Sequence, residues 1–267
     1  MTGLPAALYE PIADGYAATA LTRGPWNAGH QHAGPPAALL AREVERAGAI
    51  AGGQIARIAF DILAPVPIAP LGVAARVVRP GRRVELVEAQ LIAPPSQEVL
   101  MRASAWRMRS EAARRGSQVA GVSGQPPPAG PETGREPSFS FWRDEVAYKD
   151  ALEWRFVEGE FDRPGPATVW TRLRVPLVAG GETAPLEALL VMADAASGAS
   201  AALDWQRWVF ANVDLVVSLA RPPRGGWMAM AAHTDIGPTG IGLCRSTLFD
   251  ADGAVGASAQ SLLVAQR

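Results

Sequence analysis

Two histidines, His30 and His32, stand in GHQHAGPPAALLAREVERAG, residues 29–48, just ahead of an apolar helical run. A His-x-His pair suits a metal or a general base. No carboxylate or cysteine cluster accompanies this pair, so no metal is expected. About 150 residues on, Asp194 sits in ALLVMADAASG, one turn beyond Leu190 and two beyond Glu187. Those positions share a helix face. An acid near a helix C-terminus opposes the helix dipole, so it is not placed there for helix stability. Asn212, in RWVFANVDLVVSLA, and Gln260, in GASAQSLLV, add two amides. A carboxylate base with two amides that fix a water is what water activation requires. GASAQ lacks the G-x-S-x-G spacing of a nucleophile elbow, so a covalent serine mechanism is not indicated.

These residues fall into a repeated frame. AALLAREVERAG (37–48) overlays EALLVMADAASG (187–198) without a gap, and RASAWRM (102–108) overlays GASAQSL (256–262). Two matches in order, at nearly one offset, indicate a duplicated unit. Gly34 is expected to cap the first helix, with Pro35 or Pro36 at its first turn, and Thr183 to cap the second near Pro185. Strand-like runs follow each helix. QIARIAFDILAP and three strands punctuated by RPGR and APPSQ follow the first. RWVFANVDLVVSLA, GGWMAMAAHTDIG, GIGLCRSTLFDADG and AVGASAQSLLVAQR follow the second. A long buried helix followed by an antiparallel meander predicts an α+β hotdog. Two such units joined edge to edge in one continuous sheet make a double hotdog. The expected organisation is an N-terminal unit over 1–109, a flexible linker or loop over 110–137, and a C-terminal unit over 138–267. The 110–137 segment is rich in Pro, Gly, Ser and charge and nearly free of large apolar side chains.

At overlaid positions Val44 matches Asp194, Trp106 matches Gln260 and Arg57 lies near Asn212. The polar constellation therefore belongs to the second copy alone.

The stretches HAGPPAALLAR, MADAASG, NVDLVV and GIGLCRSTLFDADGAVGASAQSLLV resemble the type II acyl-CoA thioesterases and their thioesterase-like relatives, over nearly the whole chain outside 110–137. The resemblance implies a double hotdog that hydrolyses acyl-CoA thioesters. In that family an Asp on the second helix, a Thr or Ser in the next strand and a Gln in the last strand order a water. These roles fall on Asp194, Asn212 and Gln260, with Asn212 departing from the hydroxyl type. The family's usual His-Gly-Gly is here His32-Ala33-Gly34. His32 is expected to shape the substrate pocket, and the amides after Gly34 to receive the thioester carbonyl or an oxyanion. Leu39, Leu40, Leu190 and Met192 are candidate walls of an acyl tunnel, and Trp205 and Trp208 could line its entrance. The arginines of RPGRR either meet coenzyme A phosphates or form a solvated hairpin.

Two other readings stay open: a non-catalytic acyl-thioester-binding hotdog, and a hotdog dehydratase or hydratase using His30 or His32. The formal net charge of −1 offers no basic excess for nucleic acid. The lone Cys244 excludes an internal disulfide framework and reads as a core thiol. No apolar run reaches the length of a membrane span, and MTGLPAALYEPIADGY has no leader pattern. A cytoplasmic enzyme without cofactor is expected, acting on acyl-CoA, with a homodimer or higher homo-oligomer open.

Overall fold

The computed structural model describes residues 3–110, 124–142 and 146–267. Among them, thirteen strands form one sheet around two central helices. The first unit comprises β1 (Tyr9–Ile12), β2 (Gly15–Ala18), α1 (Gly34–Ala47), β3 (Gly53–Ile62), β4 (Pro70–Arg79), β5 (Val84–Ala93) and β6 (Glu98–Arg109). The second begins with a single turn, α2 (Tyr148–Ala151), then β7 (Leu152–Glu160) and β8 (Arg163–Leu173). It continues with α3 (Pro185–Ala193), α4 (Ala196–Ala199), β9 (Trp208–Asn212), β10 (Asp214–Leu219), β11 (Met228–Ile236), β12 (Ile241–Asp250) and β13 (Gly253–Gln266).

The sheet runs β1-β2-β4-β5-β6-β3-β10-β13-β12-β11-β8-β7, with β9 paired to β13. The order on one side of the β3–β10 seam mirrors the order on the other. At the seam Val216 lies opposite Ala59 and Leu215 opposite Phe60, antiparallel. Joining the units here removes one edge from each, and an open edge is what a sheet must otherwise protect. The double hotdog expected from the repeat is the observed architecture. It also contains a leading hairpin in each unit, β1–β2 and β7–β8, which the sequence analysis did not identify.

Each helix is buried because its apolar residues recur at helical spacing. Leu39, Leu40 and Val44 of α1, and Leu189, Leu190 and Ala193 of α3, have no exposed surface. The two helices pack on each other at the centre, and the capping expectations are corrected there. Gly34 is the first residue of α1 rather than its cap, which is Ala33. A Cβ at position 34 would stand 2.3 Å from the Val191 carbonyl oxygen, so glycine is what lets α1 approach α3. Thr183 does not cap α3. Its hydroxyl accepts the Leu177 N–H at 2.8 Å, and Glu187 accepts the Ala184 N–H at the helix start.

Arg42 of α1 donates twice to Glu187 at 2.8 Å and once to the Glu182 carbonyl at 2.7 Å. This buried pair ties the middle of one helix to the start of the other. Residues 124–137 run along the second unit. The Ala254 N–H donates to Gln125, Arg135 and Phe156 exchange backbone hydrogen bonds, and Trp170 Nε1 donates to the Ala129 carbonyl. Residues 111–123 of the segment read as a linker lie outside the described residues.

Candidate active site

The sequence places a break directly after α3, where MADAASG follows the apolar run. Asp194 is the C-terminal cap of that helix, and α4 restarts two residues later. The carboxylate is therefore carried at a bend between two helical pieces. It is 4% exposed.

Asn212 reaches it from the sheet. Asn212 lies opposite Leu262 of β13, whereas Val216 lies opposite Ala259. One extra residue is thus inserted between β9 and β10, and such a bulge re-aims a side chain. The single strand expected over RWVFANVDLVVSLA is split by it. Asp214 holds the bulge by accepting the Ser261 N–H. Asn212 Nδ2 then donates to Asp194 Oδ1 at 2.8 Å and to the Asp214 carbonyl at 3.1 Å.

Gln260 comes from the inward face of β13 and is 1% exposed. Its Nε2 donates to the Asp194 main-chain carbonyl at 3.0 Å and to Oδ1 at 3.3 Å, and its Oε1 accepts the Ser197 N–H at 3.2 Å. The three residues singled out in the second copy are brought together. Their amide hydrogens converge on Oδ1 and on the backbone of the bend, which fixes the carboxylate itself.

His32 completes the cluster from the first unit. Its Nδ1 stands 3.0 Å from Asp194 Oδ2, and its ring lies flat on Tyr148, 3.8 Å between centroids and 3° between planes. Tyr148 is anchored by donating to the Val191 carbonyl at 2.6 Å. The Gly34 N–H also points at Nδ1, from 3.3 Å. A full negative charge at the shorter distance outweighs a neutral amide, so Nδ1 carries the proton that faces Asp194. Burial pulls the imidazole below its usual pKa of 6.5, and the Asp194 charge restores part of the loss. Burial, aided by Asp194, pushes the Tyr148 phenol well above its ordinary value.

The α1 start offers fewer donors than the sequence suggested. Pro35 and Pro36 have no N–H, the Ala37 N–H serves the Ala33 carbonyl at 3.0 Å, and the Gly34 N–H is turned to His32. Gly34 thus sets helix packing, and its N–H lies beside the His32 ring. His30 lines the same cavity, while its backbone bridges to Pro67.

The cluster closes one side of a cavity of about 430 Å³. Its walls are mostly apolar and include eight aromatic rings, Trp26, Phe141, Trp142, Tyr148, Trp154, Phe161, Trp205 and Phe210, beside aliphatic residues such as Ile62, Leu63, Val66 and Val209. Trp205 was expected near an entrance and is on this wall. Leu39, Leu40, Leu190 and Met192 were expected as tunnel walls and instead are fully buried core. Sequence reasoning missed Tyr148 and Phe141. Their signal was the aromatic crowding before β7, which has no periodicity to reveal which rings face a cavity.

Among the described residues the first copy has no such site. Val44, at the position matching Asp194, is fully buried core. The proposed match of Arg57 with Asn212 does not hold. Arg57 lies opposite Trp106 and Ser218, just after a bulge in its own strand, whereas Asn212 lies opposite Leu262 and before the β9–β10 bulge. Arg79 of the RPGRR hairpin donates to the Val84 carbonyl at 3.2 Å and lies 5.6 Å over Trp106. Among the described residues no three His, Cys, Asp or Glu side chains are grouped to hold a metal ion, and no helix is long and apolar enough to cross a membrane.

By fold the protein is a double hotdog. Its sequence matches the family model for the acyl-CoA thioesterase N-terminal domain over residues 22–108 and that for the C-terminal domain over 123–264. The chain belongs to the acyl-CoA thioesterase family and is a thioester-hydrolysing enzyme. A putative thioesterase II from Thermobifida fusca is 16% identical, with a TM-score of 0.75 over 97% of this chain and 96% of that one. A hot dog-fold protein from Alicyclobacillus acidocaldarius is 17% identical, with a TM-score of 0.70 over 94% and 91%. A putative thioesterase from Novosphingobium aromaticivorans is 18% identical, with a TM-score of 0.69 over 97% and 92%. These similarities establish the fold. No curated protein sequence matches the chain significantly.

Proposed function

We propose that the protein hydrolyses acyl-CoA thioesters to the free acid and coenzyme A, with Asp194 at the centre of the chemistry. The observation that carries this reading is a buried carboxylate at the end of an apolar cavity, held by two amides and faced by an imidazole. The acyl group enters the cavity and brings its carbonyl carbon to the Asp194 end. A water beside the carboxylate attacks that carbon. Its proton passes to the Asp194–His32 pair, whose imidazole is neutral near pH 7 because burial lowers its pKa. Collapse of the tetrahedral adduct breaks the C–S bond, and the same proton neutralises the departing thiolate.

Asn212 and Gln260 serve this step in two ways. Their N–H groups hold Oδ1, which leaves Oδ2 toward His32 and a bound water. They also stabilise the charged carboxylate, whose burial would otherwise be costly. By the resemblance to the type II thioesterases, Asn212 takes the place of a hydroxyl residue, and its amide still donates to the aspartate. Release of free thiol from acyl-CoA esters, followed with a thiol reagent, tests the reading. Thiol and acid should form in equal amounts.

A further inference from the structure

We propose that the acyl group this enzyme selects is uncharged and ring-bearing: an arylacyl thioester rather than a linear or dicarboxylic one. The inference rests on the proposed hydrolysis at Asp194 and names the substrate class of that site. The chain has only 7 Phe, 8 Trp and 3 Tyr. Eight of these rings line this one cavity. They are also mutually ordered. Phe141 lies flat on Trp205, 4.1 Å between centroids and 4° between planes. Trp205 stacks on Trp26 at 5.1 Å, and Phe210 meets Trp26 edge-on at 5.3 Å and 85°.

Such a wall is stiff and presents ring faces and ring edges. A planar ligand ring gains offset-stacked or edge contacts from it that an alkyl chain of the same size does not, and one good contact of this kind corresponds to up to about tenfold. A linear chain also loses more rotamer freedom on binding.

Charge narrows the class further. Among the described residues no Lys or Arg lines the cavity, and its only acid, Asp194, belongs to the reacting end. A second carboxylate on the acyl group would be buried without a lysine or arginine partner among the described residues.

The test compares kcat/KM for phenylacetyl-CoA, octanoyl-CoA, which has the same number of acyl carbons, and succinyl-CoA. The expected result is a preference for phenylacetyl over octanoyl of about tenfold with little turnover of succinyl. Phe141→Leu and, separately, Trp205→Leu should each lower the phenylacetyl-to-octanoyl ratio. Equal or better turnover of octanoyl-CoA, or ready turnover of succinyl-CoA, would overturn the assignment. The inert thioethers S-(2-phenylethyl)-CoA and S-octyl-CoA, titrated by calorimetry, read the same preference without catalysis. If the folded protein hydrolyses no ester yet binds the phenylethyl thioether more tightly, the hydrolytic reading fails and the ligand class stands. If it prefers the octyl thioether, the ligand class fails whatever the turnover.

Discussion

Asn212 Nδ2 donates to Asp194 Oδ1 across 2.8 Å, joining a bulged strand of the sheet to the end of the second central helix. Neither residue is held by its own element alone. The helix breaks at Asp194, the strand breaks after Asn212, and the hydrogen bond spans the two irregularities. Gln260 supports the same oxygen from β13. The carboxylate is therefore preorganised by the fold before substrate arrives.

Replacing Asp194 by Asn keeps the shape and removes the charge. The side-chain carbonyl can still accept from Asn212 and Gln260, and the new amide can donate to His32 Nδ1 once the imidazole shifts its proton to Nε2. The melting temperature should stay nearly unchanged, while kcat/KM for the best ester falls by about 10²–10⁴-fold. Thermal unfolding and thiol release on one preparation check both halves.

The Asn at position 212 gives a second prediction. Asn212→Thr restores a hydroxyl that can donate to the aspartate, and should keep activity within about tenfold of wild type. Asn212→Leu removes the donor and leaves Oδ1 short of a partner. It should cost about 1–3 kcal/mol of stability and most of the activity. Denaturant titration beside kcat/KM separates the two effects.

For Gln260, deletion of the amide orphans more than the aspartate. Gln260→Leu also strands the buried Ser197 N–H and the Asp194 carbonyl. A loss of about 1–3 kcal/mol in stability is expected together with loss of turnover. Denaturant midpoints at constant slope measure it.

The His32 pKa sets the acid side of both activity and stability. Burial lowers it below 6.5, so the base form persists under mildly acidic conditions and the acid limb of kcat/KM should lie below pH 6.5. For stability, the unfolded chain binds this proton more readily than the folded one between the lowered value and 6.5. Stability is thus complete above pH 6.5 and falls as pH drops through the lowered folded value. His32→Asn should remove that acid limb and flatten this part of the stability profile, read by thermal melts across pH 4–8.

Much of this was legible in the sequence, for identifiable reasons. The overlaid Ala-Leu-Leu and Ala-Ser-Ala segments gave the duplication, because a repeat keeps its helix and last strand in register. Asp194 stood out because an acid at that helix end opposes the dipole, and it is the residue on which the cluster converges. Other features depend on tertiary approach. The role of Gly34 follows from its contact with Val191 and cannot be read from a capping pattern. The meeting of His32 with Asp194 spans both units. The β9–β10 bulge has no glycine to mark it, so Asn212, which precedes that bulge, was aligned with Arg57, which follows the bulge of β3. The aromatic wall gathers from loops, strands and a short helix far apart in the chain, whereas the helix leucines expected to form it lie in the core.

The most direct test of the central claim is thiol release from an acyl-CoA panel by wild type and Asp194→Asn measured side by side, with both proteins shown to be folded. The account predicts release by wild type that is nearly abolished in the variant at an unchanged melting temperature. Turnover by the variant at the wild-type rate would contradict it.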